Sequence, residues 1–284
     1  VIAHKGDAIR AASTTVQIDG GTITAMEGNA IQRTYGTLQI NDGALLSAPK
    51  GNAIIDKNVG YTSTGGHIEI NGGQAEGGLY GLYVEKQKYY QYHQSSDKAI
   101  INGGAISGSK ADIYLGEKQC VRIAGNYPDE LTVEVQDPYH KRQITEPYQD
   151  DPANGVDNVQ LKILNPGYGV GTAQQEYSDS DSESFYRNYR YLIAQHTVEP
   201  LNAEAKVGEQ AVTSADLVDA DTTVTVTAKE ITGKTFTGWT VKVDGVEKDP
   251  STFLKTPDAD DPTKVTFTMP DKNVEVKANF EKDT

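Results

Sequence analysis

The feature that most constrains what this chain can fold into is an internal repeat. One motif recurs as Val16-Gln17-Ile18-Asp19-Gly20-Gly21, Leu38-Gln39-Ile40-Asn41-Asp42-Gly43, Ile68-Glu69-Ile70-Asn71-Gly72-Gly73 and Ala99-Ile100-Ile101-Asn102-Gly103-Gly104. Val121-Arg122-Ile123-Ala124-Gly125-Asn126 is a weaker further copy. Ile18 to Ile40 and Ile101 to Ile123 are each 22 residues, whereas Ile40 to Ile70 is 30 and Ile70 to Ile101 is 31. Alternation places Val16 and Ile18 on one face and Gln17 on the other. A lone repeat of this length cannot bury that face, but stacked copies bury it as continuous aliphatic columns.

A second motif interleaves with the first. Gly6-Asp7-Ala8-Ile9, Gly28-Asn29-Ala30-Ile31 and Gly51-Asn52-Ala53-Ile54 lie 22 and then 23 residues apart, and Gly81-Leu82-Tyr83-Val84 and Asp112-Ile113-Tyr114-Leu115 continue the series. A third short apolar element follows each glycine pair, at Ile23, Leu45, Ala75 and Ile106. Each repeat therefore reads as three short strands joined by Gly/Asn/Asp turns. The glycines supply positive φ at the corners. The column Asp19, Asn41, Asn71, Asn102 reads as local Asx turns, each side chain bonding the backbone two residues on. This pattern resembles the right-handed parallel β-helix of pectin-lyase-like proteins, in the form common in gut-bacterial surface proteins. The resemblance covers roughly residues 1–135 and implies about five to six coils once degenerate ones are included.

The two long intervals arise at one place in the repeat. Extra residues follow the strand ending at Asp56, up to Gly66 and including Tyr61, and the strand ending before Glu85, up to Lys98. In a solenoid such insertions emerge side by side, often on the binding face. The second carries Tyr89, Tyr90, Tyr92 and His93 in a polar context, a surface suited to stacking on sugar rings or gripping a protein. The alternative is that these tyrosines pack over the side of the stack.

From Leu131 to Tyr191 the repeat fades. Leu131-Thr-Val-Glu-Val135 and Val159-Gln-Leu-Lys-Ile163 still alternate, amid prolines at 138, 147, 152 and 166, as one or two degenerate coils capping the stack would. Asp179, Asp181 and Glu183 in a serine-rich acidic run could hold calcium, but the run lacks the glycine and ligand order of an EF-hand loop and reads better as a solvated loop. All 16 tyrosines lie at or before Tyr191 and the one tryptophan, Trp239, lies after it. That shift sets the expected division: residues 1–190 as the solenoid with its cap, and 196–284 as a second module.

The second module reads as strands only. Thr223-Val-Thr-Val-Thr-Ala228, Val265-Thr-Phe-Thr-Met269 and Val274-Glu-Val-Lys-Ala278-Asn-Phe280 alternate, and Asp244-Gly245 between Val243 and Val246 signals a hairpin. The order of Thr223–Ala228, Gly233-Lys-Thr-Phe-Thr-Gly-Trp239 and Phe267-Thr-Met-Pro-Asp-Lys-Asn273 through Phe280 resembles the divergent internalin-B-type (InlB) B-repeat of Gram-positive surface proteins. That resemblance implies an extracellular, cell-surface spacer, anchored to the wall by other parts of a longer protein, and no catalysis. Phe236, Trp239, Phe267 and Phe280 fall on the alternating apolar faces and read as core rather than as a sugar platform.

Composition narrows the partners. The net charge of −14 repels phosphate backbones and anionic lipid, which argues against nucleic acid and membrane surfaces. No apolar run approaches the length of a membrane span. A single cysteine, Cys120, allows no internal disulfide and suits the cytosol or a Gram-positive exterior where repeats supply stability. The five histidines show no metal spacing, Cys120 has no histidine near it in sequence, and no glycine pattern opens a helix as a phosphate cradle does, so no metal or cofactor is expected. Val1-Ile2-Ala3-His4-Lys5-Gly6 is neither a start methionine nor a signal peptide, as in a chain that begins inside a longer protein or after a removed leader.

Three readings follow for this all-β chain. The first is a non-catalytic surface adhesin that binds a glycan or a host or surface protein through the insertions, with Tyr61, Tyr89, Tyr90, Tyr92 and His93 as candidate contacts. The second is a purely structural stalk. The third is a polysaccharide lyase or glycosidase on the β-helix, which needs paired carboxylates or an acidic calcium site beside an arginine base. Arg33, Arg122 and Arg142 show no carboxylate cluster recurring on a neighbouring repeat, and the resembled enzymes usually carry more coils. Oligomeric state is left open.

Overall fold

The structure is a computed structural model that describes residues 1–12, 15–57, 66–85, 99–124, 127–146, 159–178, 184–257 and 261–283, with the backbone alone for 175–178 and 184–187. It divides into two compact units, Val1–Leu192 and Ile193–Thr284, and the strand Ser184–Leu201 contributes to both.

The first unit is solenoid-like, built of three parallel sheets that the chain visits in rotation. The first sheet holds Ile2–Ala3, Gly21–Ala25, Ala44–Ala48, Gln74–Gly77 and Ala105–Gly108. The second holds Ile9–Ala11, Ile31–Arg33, Ile54–Asp56, Tyr80–Val84, Ala111–Leu115, Glu130–Val135 and Gln160–Ile163. The third holds Val16–Ile18, Leu38–Ile40, Ile68–Ile70, Ala99–Ile101 and Val121–Ile123. Each strand pairs in parallel with its counterparts in neighbouring repeats, so the alternating apolar residues fall into register as columns, buried within the stack and partly buried at Ile9, Ile18 and Ile163. Ile18, Ile40, Ile70, Ile101 and Ile123 form one. Ile9, Ile31, Ile54, Leu82, Ile113, Val133 and Ile163 form another.

The column on the first sheet corrects one expectation. Ile23, Ala75 and Ile106 align with Leu46, not Leu45. Leu46 is 2% exposed and Leu45 43%. Ile18 pairs with Ile40 and Gly21 with Ala44, so the corner after Ile40 is one residue longer than the corner after Ile18. The extra residue reverses the alternation at that point, because side chains change face with every residue along a strand. It also explains the 23-residue step from Ile31 to Ile54.

The Asx column at the corners also differs from a set of local turns. The side chains bond to one another between repeats: Asn41 Nδ2 donates to Asp19 Oδ1 at 2.8 Å, Asn71 Nδ2 to Asn41 Oδ1 at 3.1 Å, and Asn102 Nδ2 to Asn71 Oδ1 at 2.8 Å. A second ladder joins Asp7, Asn29 and Asn52, where each asparagine donates both its Nδ2 and its backbone N–H to the preceding Oδ1. Both ladders run in one direction and start at an aspartate, an acceptor-only side chain when ionised. Glycine at these corners does more than permit positive φ. A Cβ on Gly51 would overlap the Gly28 carbonyl of the next repeat, so stacking itself requires glycine there.

Beyond Ile123, among the described residues, only the second sheet of the stack continues at full strand length, through Glu130–Val135 and Gln160–Ile163. The third sheet gains a bridge from Val121 to Thr145. Ile144 and Leu192 are both buried in the same core, joined by backbone bonds of Ile144 to Arg190 and Leu192 to Arg142.

In the second unit, Ala203–Val207, Gln210–Val212, Thr223–Ala228 and Lys264–Thr268 form an antiparallel sheet. A second sheet pairs the end of Ser184–Leu201 with Val274–Lys282, then Lys234–Val243 and Val246–Lys248. Val198, Val224, Val226, Val241, Val265, Phe267, Met269 and Val276 form the core between them. Asp244 and Gly245 make the hairpin with φ of 48° and 77°, the left-handed values of a tight two-residue turn. The reading of strands alone is corrected by a one-turn helix, Pro250–Phe253. Asp249 caps it by accepting from the Ser251 N–H at 2.9 Å, and Pro250 starts it without a wasted donor. Phe253 lies 5.3 Å from Phe267 between ring centroids, tying the turn to the core.

Candidate functional site

The flanks of both insertions leave from one corner, between the second and third sheets, on successive repeats. Lys57 N donates to Arg33 O at 2.9 Å and Glu85 N to Asp56 O at 2.8 Å, so the departing residues stack on each other. Tyr61, Tyr89, Tyr90, Tyr92 and His93 themselves lie outside the described residues, as do Asp179, Asp181 and Glu183.

Two buried arginines hold this corner. The Arg33 guanidinium donates to Asp56 Oδ1 at 2.8 Å, to the Gly36 carbonyl at 2.7 Å and to the Gly66 carbonyl. One side chain thus grips both ends of the first insertion. Arg142 donates to the carbonyls of Gln136, Asp137 and Gly116, and burial lowers its pKa. Arg33 and Arg122 each meet one carboxylate, Asp56 at 2.8 Å and Glu146 at 3.3 Å, and Arg142 meets carbonyls, so none of these contacts is a carboxylate cluster. The Arg33–Asp56 pair sits inside the stack, where neither group can reach a polysaccharide. Burying an ion pair is tolerable only with the extra hydrogen bonds it has here.

The solvent face of the second sheet next to this corner carries an aromatic cluster. Tyr83 and Tyr114 occupy in-register positions, and their rings stack at 4.4 Å between centroids and 8° between planes. Tyr80 packs on both, at 5.6 and 5.1 Å. Its hydroxyl donates to Glu134 Oε2 at 2.7 Å, and Lys110 Nζ lies 5.8 Å from its ring centroid. Burial pushes the Tyr80 phenol well above its ordinary value, with the Glu134 hydrogen bond adding to it. Burial, followed by the charge of Tyr83, pushes Tyr114 up to about 12. The Tyr83 and Tyr114 hydroxyls share a hydrogen bond. All three phenols therefore stay protonated donors through the physiological range. Tyr80 is almost buried under its neighbours while Tyr83, Tyr114 and Glu134 stay partly exposed. Such a surface offers aromatic carbon, phenol donors and a carboxylate acceptor together, the chemistry that neutral polyhydroxylated ligands use.

Sequence reasoning passed over Tyr80 and Glu134 and took Tyr83 and Tyr114 only as repeat members. The signal was present: both tyrosines hold the same place in successive copies, Gly81-Leu82-Tyr83-Val84 and Asp112-Ile113-Tyr114-Leu115, so stacking had to bring the rings together.

Other groups gather less. Among the described residues no group of three or more His, Cys, Asp or Glu could hold a metal ion, and no helix is long and apolar enough to cross a membrane. Cys120 is buried, with Sγ 3.9 Å from Glu146 Oε1. In the second unit Phe267 is core, and Phe236, Trp239 and Phe280 pack partly buried against it, with Phe236 edge-on to both of the others.

Residues 201–284 match the family model of the divergent InlB B-repeat domain. The second unit is thus an InlB-repeat-like region, and the match does not extend into the parallel sheets of the first. No curated protein and no solved structure matches the chain.

Proposed function

We propose that the chain is a non-catalytic cell-surface binding protein. In this reading a right-handed parallel β-helix head spans residues 1–190 in about five to six coils, and the InlB-type module at 196–284 follows it in sequence as a spacer. The head recognises a glycan, free or on a host or surface protein, on the side where the two insertions leave. The observation that carries this is the convergence at one corner: two successive insertions depart beside the Tyr80/Tyr83/Tyr114 cluster. Rigid stacked strands position such a surface better than an isolated loop would. The InlB-repeat likeness of residues 201–284 supports the extracellular placement in this reading.

A glycan-array screen of the chain beside a Tyr89→Ala/Tyr90→Ala/Tyr92→Ala variant tests it. Reproducible binding that weakens in the variant supports the reading. Silence across a broad array contradicts it and leaves the stalk, which the unbroken Asn/Asp ladders would serve by stiffening the stack.

A further inference from the structure

The core of the second unit is open at one end. Along the sheet that carries Lys234–Val243 and Val274–Lys282, the inward cross-strand pairs run Val243/Val274, Val241/Val276, Trp239/Ala278, Phe236/Phe280 and Lys234/Lys282. The valines are buried, whereas Trp239, Phe236 and Phe280 are only partly covered. The facing sheet has inward pairs Val224/Phe267 and Val226/Val265, and then only small side chains, Ala228 beside Thr263, where the Ala228 N–H donates to Thr263 O at 2.9 Å. Small residues opposite two phenylalanines leave a pocket of about 460 Å³, lined by Ala228, Thr263, Phe236 and Phe280 with Ile231 from the connecting loop. Trp239 packs beside it, 5.3 Å from Phe236 between ring centroids, its Nε1 donating to Pro262 O at 3.0 Å. Lys229 and Lys234, both exposed, line the rim. Lys234 stands directly opposite Lys282, an arrangement of like charges that costs stability. Lys229 reaches Glu204 at 4.0 Å, but among the described residues neither Lys234 nor Lys282 has a carboxylate partner.

We propose that this pocket binds a small amphipathic carboxylic acid, with its apolar body against Phe236 and Phe280 and its carboxylate between Lys234 and Lys282. The site lies wholly in the InlB-like unit, so it is independent of the glycan reading of the parallel sheets. The volume falls in the range of small-ligand sites, about 300–1,000 Å³, and takes a ring or a short chain. Charge selects the ligand. An anion relieves the Lys234/Lys282 repulsion, whereas the net charge of −14 gives anions no general attraction to this chain. Glu230 also lines the pocket and disfavours a dianion such as a phosphate monoester. Rim lysines also lie along apolar surface simply to keep their heads in water. That role is served as well by a lysine opposite a glutamate, the pairing these same two strands use on their outer face, where Lys242 meets Glu275 at 2.8 Å. At the rim of the pocket they pair lysine with lysine instead.

The test titrates the full chain with octanoate, 3-phenylpropionate and N-acetylphenylalanine, the last standing for the C-terminus of a peptide, and with 3-phenylpropanol and phenyl phosphate alongside. Trp239, the one tryptophan, reports through its fluorescence, and ligand-detected NMR reads binding independently. At least one carboxylate should bind about tenfold more tightly than the alcohol and the phosphate, and added salt should weaken it. Which of the three acids binds tells a fatty acid, a free aromatic acid and a peptide terminus apart. Lys234→Gln/Lys282→Gln should weaken the carboxylate by about tenfold and leave the alcohol unchanged. Ala228→Leu fills the pocket from the facing sheet and should abolish binding of both. The lysine variant should unfold in urea no earlier than the wild type, because it removes a repulsion, so its loss of binding is not a loss of fold. No bound carboxylate, equal affinity for the alcohol, preference for phenyl phosphate, or undiminished binding in the lysine variant would overturn the proposal. The glycan array decides the reading of the first unit separately.

Discussion

The Arg33 guanidinium and the Asp56 carboxylate meet at 2.8 Å with both side chains 1% exposed, inside a stack otherwise lined by Ile, Leu, Val and Ala. The pair closes the base of the first insertion, since the same guanidinium also holds the Gly66 carbonyl. Removing one partner strands a charge. Asp56→Ala is expected to cost about 3–5 kcal/mol, read as a fall in the urea midpoint. The double variant Arg33→Met/Asp56→Leu, which leaves no charge behind, should recover most of that loss.

The asparagine ladders predict a graded cost. Asn29 accepts from both the side chain and the backbone N–H of Asn52, which is itself buried, so Asn29→Ala leaves buried donors without a partner. The expected loss is about 1–3 kcal/mol. Asn71 bonds only side chains at an exposed corner, where water can replace them. Asn71→Ala should cost less than half as much in the same unfolding assay.

Acid should weaken the first repeats. Burial raises the Asp7 pKa, but the hydrogen bonds from the Asn29 backbone and side chain, with Arg10, outweigh it and hold the carboxyl below its ordinary value. Asp19 is lowered by the side chains of Gln17 and Asn41. A depressed folded-state pKa contributes stability above the unfolded value, and that stability is lost as pH falls through the folded one. Unfolding midpoints should therefore be flat near neutrality and decline below about pH 4. Asp7→Asn keeps an acceptor in the ladder and should flatten part of that decline.

Gly51 tests why the corners are glycine. A methyl group there meets the Gly28 carbonyl, which cannot yield without parting two repeats. Gly51→Ala should destabilise by at least about 2 kcal/mol, and thermal unfolding would show it. If the cost were only that of an ordinary turn, the close stacking at this corner would be wrong.

These relationships also mark what the sequence could and could not disclose. The columns through Ile18 and Ile31 were legible because a period-2 pattern repeated at a fixed interval has one economical way to be buried. The solenoid-like stack followed from that kind of pattern, whereas the InlB-like module was legible through a family resemblance in the order of its segments. Leu46 was misplaced because one inserted corner residue shifts the alternation, and spacing from the glycine pair does not reveal on which side of it the extra residue lies. The Asn41–Asp19 contact was read as a local turn because a side chain that can bond its own backbone can equally bond its neighbour, and only the stack decides. Arg33 and Asp56 went unpaired in the sequence because they are 23 residues apart, one repeat, in positions that otherwise hold aliphatic side chains. The tyrosine cluster was hidden for a related reason: Tyr80 reaches Glu134 across an intervening strand, 54 residues away in sequence.

The most direct test of the whole account is a crystal structure of the chain with the tightest glycan found on the array. The account predicts density for a sugar ring against the Tyr83/Tyr114 face of the second parallel sheet, on the side where the insertions leave. Ordered glycan seated on the InlB-like unit, with the face of the second parallel sheet empty, would contradict it.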